Sequence, residues 1–196
     1  MTQRLSDSVI DQLFRSARSI HTFKAEPISD ETLKDLYDLL KWGPTAFNAQ
    51  PARYVFVRSP QAKARLAPAL SSTNRDKSGR APVTVIVAYD SRFFERLPEE
   101  LLSARTREMF TSDAALAEAT AFRNATLQGA YLLLAARALG LSVGPMSGFD
   151  AEHVNREFFA DRRHRANFLA NIGYADTTQP RPRGPRFEFA EVAEVI

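Results

Sequence analysis

The chain has 196 residues, 44% of them apolar and 25% charged, and it contains no cysteine. That length suits one full-sized domain with a real hydrophobic core, expected to span residues 1–196, and the composition excludes disorder, a collagen-like repeat, a disulfide scaffold, a thiolate nucleophile and a Cys-ligated metal. Lys and Arg number 26 against 23 Asp and Glu, a net charge of +3, which signals a nucleic-acid surface only if it is concentrated on one face.

Residues 1–19 carry no apolar core and no small-residue cleavage site, so no signal peptide is expected. Residues 8–18 place Val9, Ile10, Leu13, Phe14 and Ala17 at helical spacing, which predicts a first amphipathic helix. Ser29 reads as the N-cap of a second, with Asp30 and Glu31 in its first turn. Leu33, Leu36, Tyr37, Leu39 and Leu40 supply its buried stripe, and it must stop before Pro44. Residues 54–57 are a short β-prone run, 60–70 a helix, and 71–80 (SSTNRDKSGR) a polar loop without a period.

Residues 83–89 (VTVIVAY) are almost continuously apolar, as a central strand covered on both faces would be. From 113 to 139 only Gly129 interrupts an Ala- and Leu-rich stretch, which predicts one long helix ending at Gly140 as a left-handed cap. A short strand over 141–146, a helix capped by Asp150 and running to about Phe159, and a strand over 167–174 follow. The tail 179–186 (QPRPRGPR) is too Pro-rich for regular structure. No repeat or composition shift divides the chain, and the irregular alternation of helices and strands predicts an α+β or mixed α/β domain.

The longest dense apolar run, 130–136, falls far short of the roughly 20 residues a membrane span needs. No membrane association is expected, and the location is expected to be cytoplasmic. There is no GxGxxG, no GxxxxGK[ST], no HExxH and no GxSxG, so phosphate cradles of the dinucleotide and P-loop types, a zinc site and a serine hydrolase are not supported. His21, His153 and His164 lack metal-ligand spacing; His153 and His164 read as solvated surface residues. An enzyme built this way would leave the chemistry to a cofactor.

Three stretches stand out. Residues 15–21 (RSARSIH) combine cations with hydroxyls, which suits a phosphate, although cations at a helix C-terminus also complement the helix dipole. Residues 42–53 (WGPTAFNAQPAR) form a stiff loop carrying amides and hydroxyls, suited to the edge of a heteroaromatic ring or to a plain helix-to-strand connection. Residues 140–150 (GLSVGPMSGFD) hold three glycines and a proline, which lets backbone N–H groups approach a ligand or makes a tight turn.

Together and in this order, the loop GPTAFNAQP, the turn GLSVGPMSGFD and the Arg-rich tail resemble the FMN-dependent nitroreductase family. APALSSTN, APVTVIVAYDSRFFERLP and FRNATLQGAYLLLAARALGL further resemble its compact branch, which includes malonic semialdehyde reductases. The resemblance implies an α+β three-layer fold, a central and mainly antiparallel sheet flanked by helices, and an intertwined homodimer with FMN at the subunit interface. It assigns the FMN phosphate and ribityl contacts to Arg18, Ser19 and His21, and the ring-contacting loop to Pro44, Thr45, Ala46 and Asn48. It assigns the turn facing flavin N5 to Pro145, Met146, Ser147 and Gly148, and the tail cations on the phosphate to Arg181 and Arg183.

Several positions depart from the family pattern. Ala17 stands where many relatives carry a first Arg and His21 where they carry Lys or Arg, which shifts the phosphate grip to Arg18 and the tail, with Arg15 as a helper. Ala52 replaces a Trp, and Ser147 stands where some relatives carry Glu.

The implied activity is ping-pong hydride transfer from NADH or NADPH through flavin N5 to a small acceptor, with no side chain needed as acid or base. The acceptor is malonic semialdehyde, reduced to 3-hydroxypropionate, or a nitroaromatic or quinone. A non-catalytic flavin carrier is the alternative from another class, and nucleic-acid binding is disfavoured because the Phe residues fall at core positions. A carboxylate acceptor would need a cation near the flavin, for which Arg53, Lys77, Arg80 and Arg123 are candidates.

Overall fold

The computed structural model describes residues 3–100, 102–176 and 182–196. In chain order these form helix α1 (Asp7–Ile10), which widens into a π-helical turn (Asp11–Arg15), α2 (Asp30–Leu40), a 3-10 turn (Ala46–Asn48) and strand β1 (Ala52–Val57). Then come α3 (Pro60–Leu66), α4 (Ser72–Arg80), β2 (Val83–Asp90), a second 3-10 turn (Phe93–Glu95), α5 (Ala104–Ser112) and α6 (Ala114–Ala138). β3 (Ser142–Met146), α7 (Ala151–Phe158), β4 (His164–Gly173) and α8 (Phe189–Val192) complete the order. The strands make a four-stranded sheet in the order β1-β2-β4-β3, antiparallel at every pairing.

Every residue of β2 is buried, and its two-residue period divides the core. Val83, Val85 and Val87 meet Leu36 and Leu40 of α2 and Leu132 and Ala136 of α6. Ile86 and Ala88 meet Leu66 of α3 and Val154 of α7 on the other face. A third cluster packs Tyr89, Phe93, Phe94 and Phe110 against Ala117 and Ala121 of α6. Burying each large aliphatic side chain is worth about 1.5–3 kcal/mol, so a strand covered on both sides anchors a helix–sheet–helix α+β fold, as expected.

The expected caps Ser29 and Asp150 are in place, and Asp113, not foreseen as a cap, closes the N-terminus of α6 in the same way. The N–H of Thr32 donates to Ser29 Oγ at 3.0 Å, that of Leu116 to Asp113 Oδ1 at 2.9 Å, and that of His153 to Asp150 Oδ1 at 3.0 Å. Gly140 ends α6 at φ 78°, in the left-handed region that glycine enters without penalty.

Four expectations are corrected. Residues 72–80 are helix α4, not a loop: neighbours hold it in place of an apolar stripe. Lys63 Nζ donates to the carbonyls of Gly79 and Ala81, and the Arg75 guanidinium to those of Ala67 and Leu70. Of the stripe read on α2, Leu36 and Leu40 are buried but Tyr37 and Leu39 are 47% and 44% exposed in the single chain. The helix over 60–70 tightens into a 3-10 turn at Ala67, and α5 was not foreseen.

The fourth is His164, which is not a solvated surface residue. Its Nδ1 lies 2.8 Å from Asp161 Oδ2, and its Nε2 is buried, 3.9 Å from Asp90 Oδ2. The charged run DRRHR enters β4, where pleating turns its residues toward the fully buried Asp90, the ladder partner of His164. Arg163 Nε donates to Asp90 Oδ1 at 2.7 Å and its Nη1 to Glu95 Oε2 at 2.8 Å, while Arg53 Nη2 takes Asp90 Oδ2 at 3.1 Å. The hydrogen bond to Asp90 raises the pKa of the Arg163 guanidinium further.

Candidate functional site

A cavity of about 580 Å³ opens between the π-helical turn, the extended segment 17–22, the start of β3 and the C-terminal end of α6. The segment lies beside the sheet edge because Ile20 N–H donates to Val143 O at 3.0 Å and Ser19 bridges to Val143. This approach requires Gly144: a Cβ there would sit 2.2 Å from Ile20 O. Arg18, Ser19 and His21 all line the cavity.

Two further arginines belong to this region. Arg183 Nη2 donates to Phe14 O at 3.2 Å, Ala17 O at 2.9 Å and Arg15 O, which ties the tail to the N-terminal segment. Arg137, in the last turn of α6, lines the cavity and donates to Leu13 O at 3.0 Å, and Gln12 Nε2 donates back to Arg137 O at 2.7 Å. Burial and then the charge of Arg183 lower the pKa of Arg137, and burial followed by Arg18 and Arg186 lowers that of Arg183. Of acids, only Asp176 lines the cavity among the described residues.

Arg15 instead pairs with Asp11 at 2.9 Å and Asp7 at 3.1 Å, and Arg137 is the further cation that lines the cavity. Its signal was a cation closing a helix, which reads equally as dipole complement. Arg181 lies outside the described residues.

β3 carries the second group. Ser142 borders the cavity and Met146 lies four residues on, about 13 Å along the same edge. Pro145 and Met146 end the strand, and Ser147 and Gly148 form the turn beyond it. Helix α4 fastens this turn: Ser71 N–H at 3.3 Å and Asn74 Nδ2 at 3.0 Å both donate to Gly148 O, and Ser78 Oγ donates to Met146 Sδ at 3.8 Å. Of the cations named for a carboxylate acceptor, Lys77 and Arg80 lie on α4, Arg123 is exposed on α6, and Arg53 is the second residue of β1.

Pro44, Thr45, Ala46 and Asn48 are elsewhere. The Ala46 N–H donates to Asn124 Oδ1 on α6 at 2.7 Å, and the Gln50 N–H to Thr45 Oγ1 at 3.1 Å. Phe47, Asn48 and Gln50 hold φ values of 55°, 49° and 44°, a density of left-handed non-glycine residues that marks a loop shaped for function. The loop enters β1, the opposite edge of the sheet from β3. Three strand spacings separate them, about 14 Å. One chain therefore presents two half-sites on opposite edges: cavity and turn on one, loop on the other. Ala52 is buried with its N–H bonded to Gln128 Oε1, so it faces the core.

The nitroreductase family model matches residues 14–174 of the chain. A Burkholderia lata protein whose name carries NADH dehydrogenase/NAD(P)H nitroreductase is 55% identical over 191 residues, covering 97% of this chain and 98% of its own. A Ralstonia nicotianae protein of the same name is 49% identical, covering 98% of both. Among solved structures, the Bacillus subtilis nitroreductase ydfN superposes with a TM-score of 0.85 at 25% identity, covering 97% of this chain and 100% of that one. A structure from Exiguobacterium sibiricum described as a nitroreductase in complex with FMN gives 0.81 at 21% identity, with full coverage of both chains.

Proposed function

The chain belongs to the nitroreductase family, and from that premise we propose an FMN-dependent NAD(P)H oxidoreductase whose site is completed by a second copy of the chain. The observation that carries this reading is the cavity that Arg18 and Arg137 line with one acid, with Arg183 bound to the carbonyl of its wall residue Ala17. Guanidinium groups held together against their own repulsion match a phosphate dianion, which accepts hydrogen bonds from all of them.

Arg18, Arg137 and Arg183 would grip the FMN phosphate, with Ser19 and His21 beside it. Pro145, Met146, Ser147 and Gly148 would lie along the ring. FMN, when bound, supplies a ring that takes a hydride from NADH or NADPH and gives it to an acceptor, so donor and acceptor use one place in turn. Pro44, Thr45, Ala46 and Asn48 would meet the ring bound by the other copy, because in their own chain they stand across the sheet from the cavity. The fastened turn and the bonded loop hold their backbone groups in position before the ligand arrives, which is the protein's main contribution. Water supplies the proton of the product.

The surface supports the same assembly. Tyr37, Leu39, Trp42 and Phe47 are exposed near the loop, and Phe122, Leu127 and Tyr131 along α6, large apolar side chains of the kind a partner surface covers. Among the described residues no helix is long and apolar enough to cross a membrane, and we place the protein in the cytoplasm as one domain over residues 1–196.

The acceptor we favour is malonic semialdehyde, reduced to 3-hydroxypropionate. Reduction of nitroaromatics or quinones is the second reading, and the relatives' names favour it. Anaerobic addition of NADH or NADPH to the FMN-loaded protein tests the activity: the flavin colour bleaches and returns on adding an acceptor. A flavin that stays coloured identifies a carrier and refutes the proposal.

A further inference from the structure

A separate cavity of about 230 Å³ lies between α2, the start of β1 and the Phe93–Glu95 turn, and its wall brings together Lys41, Gln50, Arg53, Tyr54, Arg96 and Gln128. Three of these are cations from three different elements. Lys41 pairs with Asp38 at 2.6 Å on the outer rim. Arg53 Nη2 reaches Asp90 and its Nη1 donates to the carbonyls of Gln50 and Ala52, while Arg163 takes the other oxygen of Asp90 together with Glu95. Arg96 is exposed, its backbone N–H donates to Phe93 O at 3.2 Å, and its guanidinium forms no hydrogen bond or ion pair among the described residues. Burial, opposed by Asp90 and reinforced by Arg96 and Arg163, lowers the pKa of the Arg53 guanidinium.

The wall holds one more unmatched group. The hydroxyl of Tyr54 is buried and has no hydrogen-bond partner. Buried polar groups are almost always paired, and an orphan in a native structure points to a missing ligand or an unused donor. Here the orphan donor shares the wall with Arg96, whose guanidinium faces no acid among the described residues. A planar carboxylate answers both: its two oxygens accept from guanidinium groups and from a phenol O–H. At this volume the cavity takes a short acid and not a nucleotide.

We propose that this cavity is an anion subsite in which Arg96, Arg53 and the Tyr54 hydroxyl hold the carboxylate of a small acidic acceptor. The subsite shares Gln50 and Ala49 with the strained loop, so an acid anchored there would present its other end toward the ring that the loop meets. This placement rests on the flavin reading above; the anion-binding claim stands without it.

The test compares NADH-driven reduction of 4-nitrobenzoate and nitrobenzene, which differ only by the carboxylate, in the full-length FMN-loaded protein. The ratio of their kcat/KM values is expected to fall about tenfold in Arg96→Gln, through KM, and to recover in part in Arg96→Lys. Malonate titrated against the fluorescence of Trp42, the single tryptophan and the chain neighbour of Lys41, is expected to saturate in the wild type and not in Arg96→Gln. An unchanged ratio together with no malonate response overturns the inference, while reduction of nitrobenzene leaves the flavin reading intact. If the protein retains no FMN, the flavin reading falls and the malonate titration still decides the subsite. Malonate binding that emerges only when Glu188, Glu191 and Glu194 are replaced by Gln also overturns it, because the cavity then belongs to the acidic tail of a second copy.

Discussion

Arg183 shows how one side chain connects distant parts of the sequence. Its guanidinium ties the tail to the carbonyls of Phe14, Arg15 and Ala17, and beside it Arg18 and Arg137 wait on the same cavity. Replacing Arg183 with Ala is expected to weaken FMN binding by about 1.5–3 kcal/mol, since that is the worth of a hydrogen bond to a charged group. Fluorescence titration checks it, and riboflavin, which lacks the phosphate, should lose far less. Gly144→Ala acts on the same segment sterically. With a Cβ 2.2 Å from Ile20 O, residues 19–20 must leave the β3 edge, and we expect a loss of about 1–3 kcal/mol by denaturant unfolding. A melting curve matching wild type would show that the segment is not packed there. Arg18, Ser19 and His21, which line the cavity, stand out in the sequence through the family resemblance, since cations beside hydroxyls read locally either as a phosphate site or as a dipole complement. Arg137 does not, because only the folded chain brings a helix C-terminus to that cavity.

Elements with a strong period were legible and those held by neighbours were not. β2, α6 and α2 announce themselves by apolar spacing. α4 has no stripe, and its hydrogen bonds to Ala67, Leu70 and Gly148 come from residues whose positions depend on the whole fold. β4 starts earlier than its apolar run because Arg163 and His164 turn inward to Asp90. Removing Arg163 as Arg163→Leu leaves that buried carboxylate with Arg53 as its one guanidinium partner, a loss of about 3–5 kcal/mol of stability by urea unfolding. β2 also sets a pH dependence. Burial first, then the hydrogen bond to Glu118, pushes the Tyr89 phenol up to about 12, and burial raises Tyr54 as well. Their neutral forms are favoured in the fold, so this contribution is complete below the ordinary tyrosine value. It is lost as pH rises from about 10 toward 12. Tyr89→Phe should flatten that part of the stability profile, and an unchanged slope would assign it to other groups.

At the scale of the molecule, the net charge of +3 has acquired an address. The three arginines of the tail stretch equal that excess, and Arg183 among them is bound beside the cavity at Ala17 O, which favours the proposed cofactor grip over a nucleic-acid face. The half-sites on opposite sheet edges and the exposed apolar residues of α2 and α6 are the structural grounds for proposing a second copy. Exposed Leu127 tests it: Leu127→Arg, with little to disturb in the monomer, is expected to yield single chains that have lost their flavin. The central claim is that FMN lies between two copies, and sedimentation velocity followed at the flavin absorbance tests it most directly. The account predicts that all bound flavin sediments at the mass of a dimer, one FMN per chain. Flavin travelling with single chains, or protein that stays colourless after reconstitution with FMN, would contradict it.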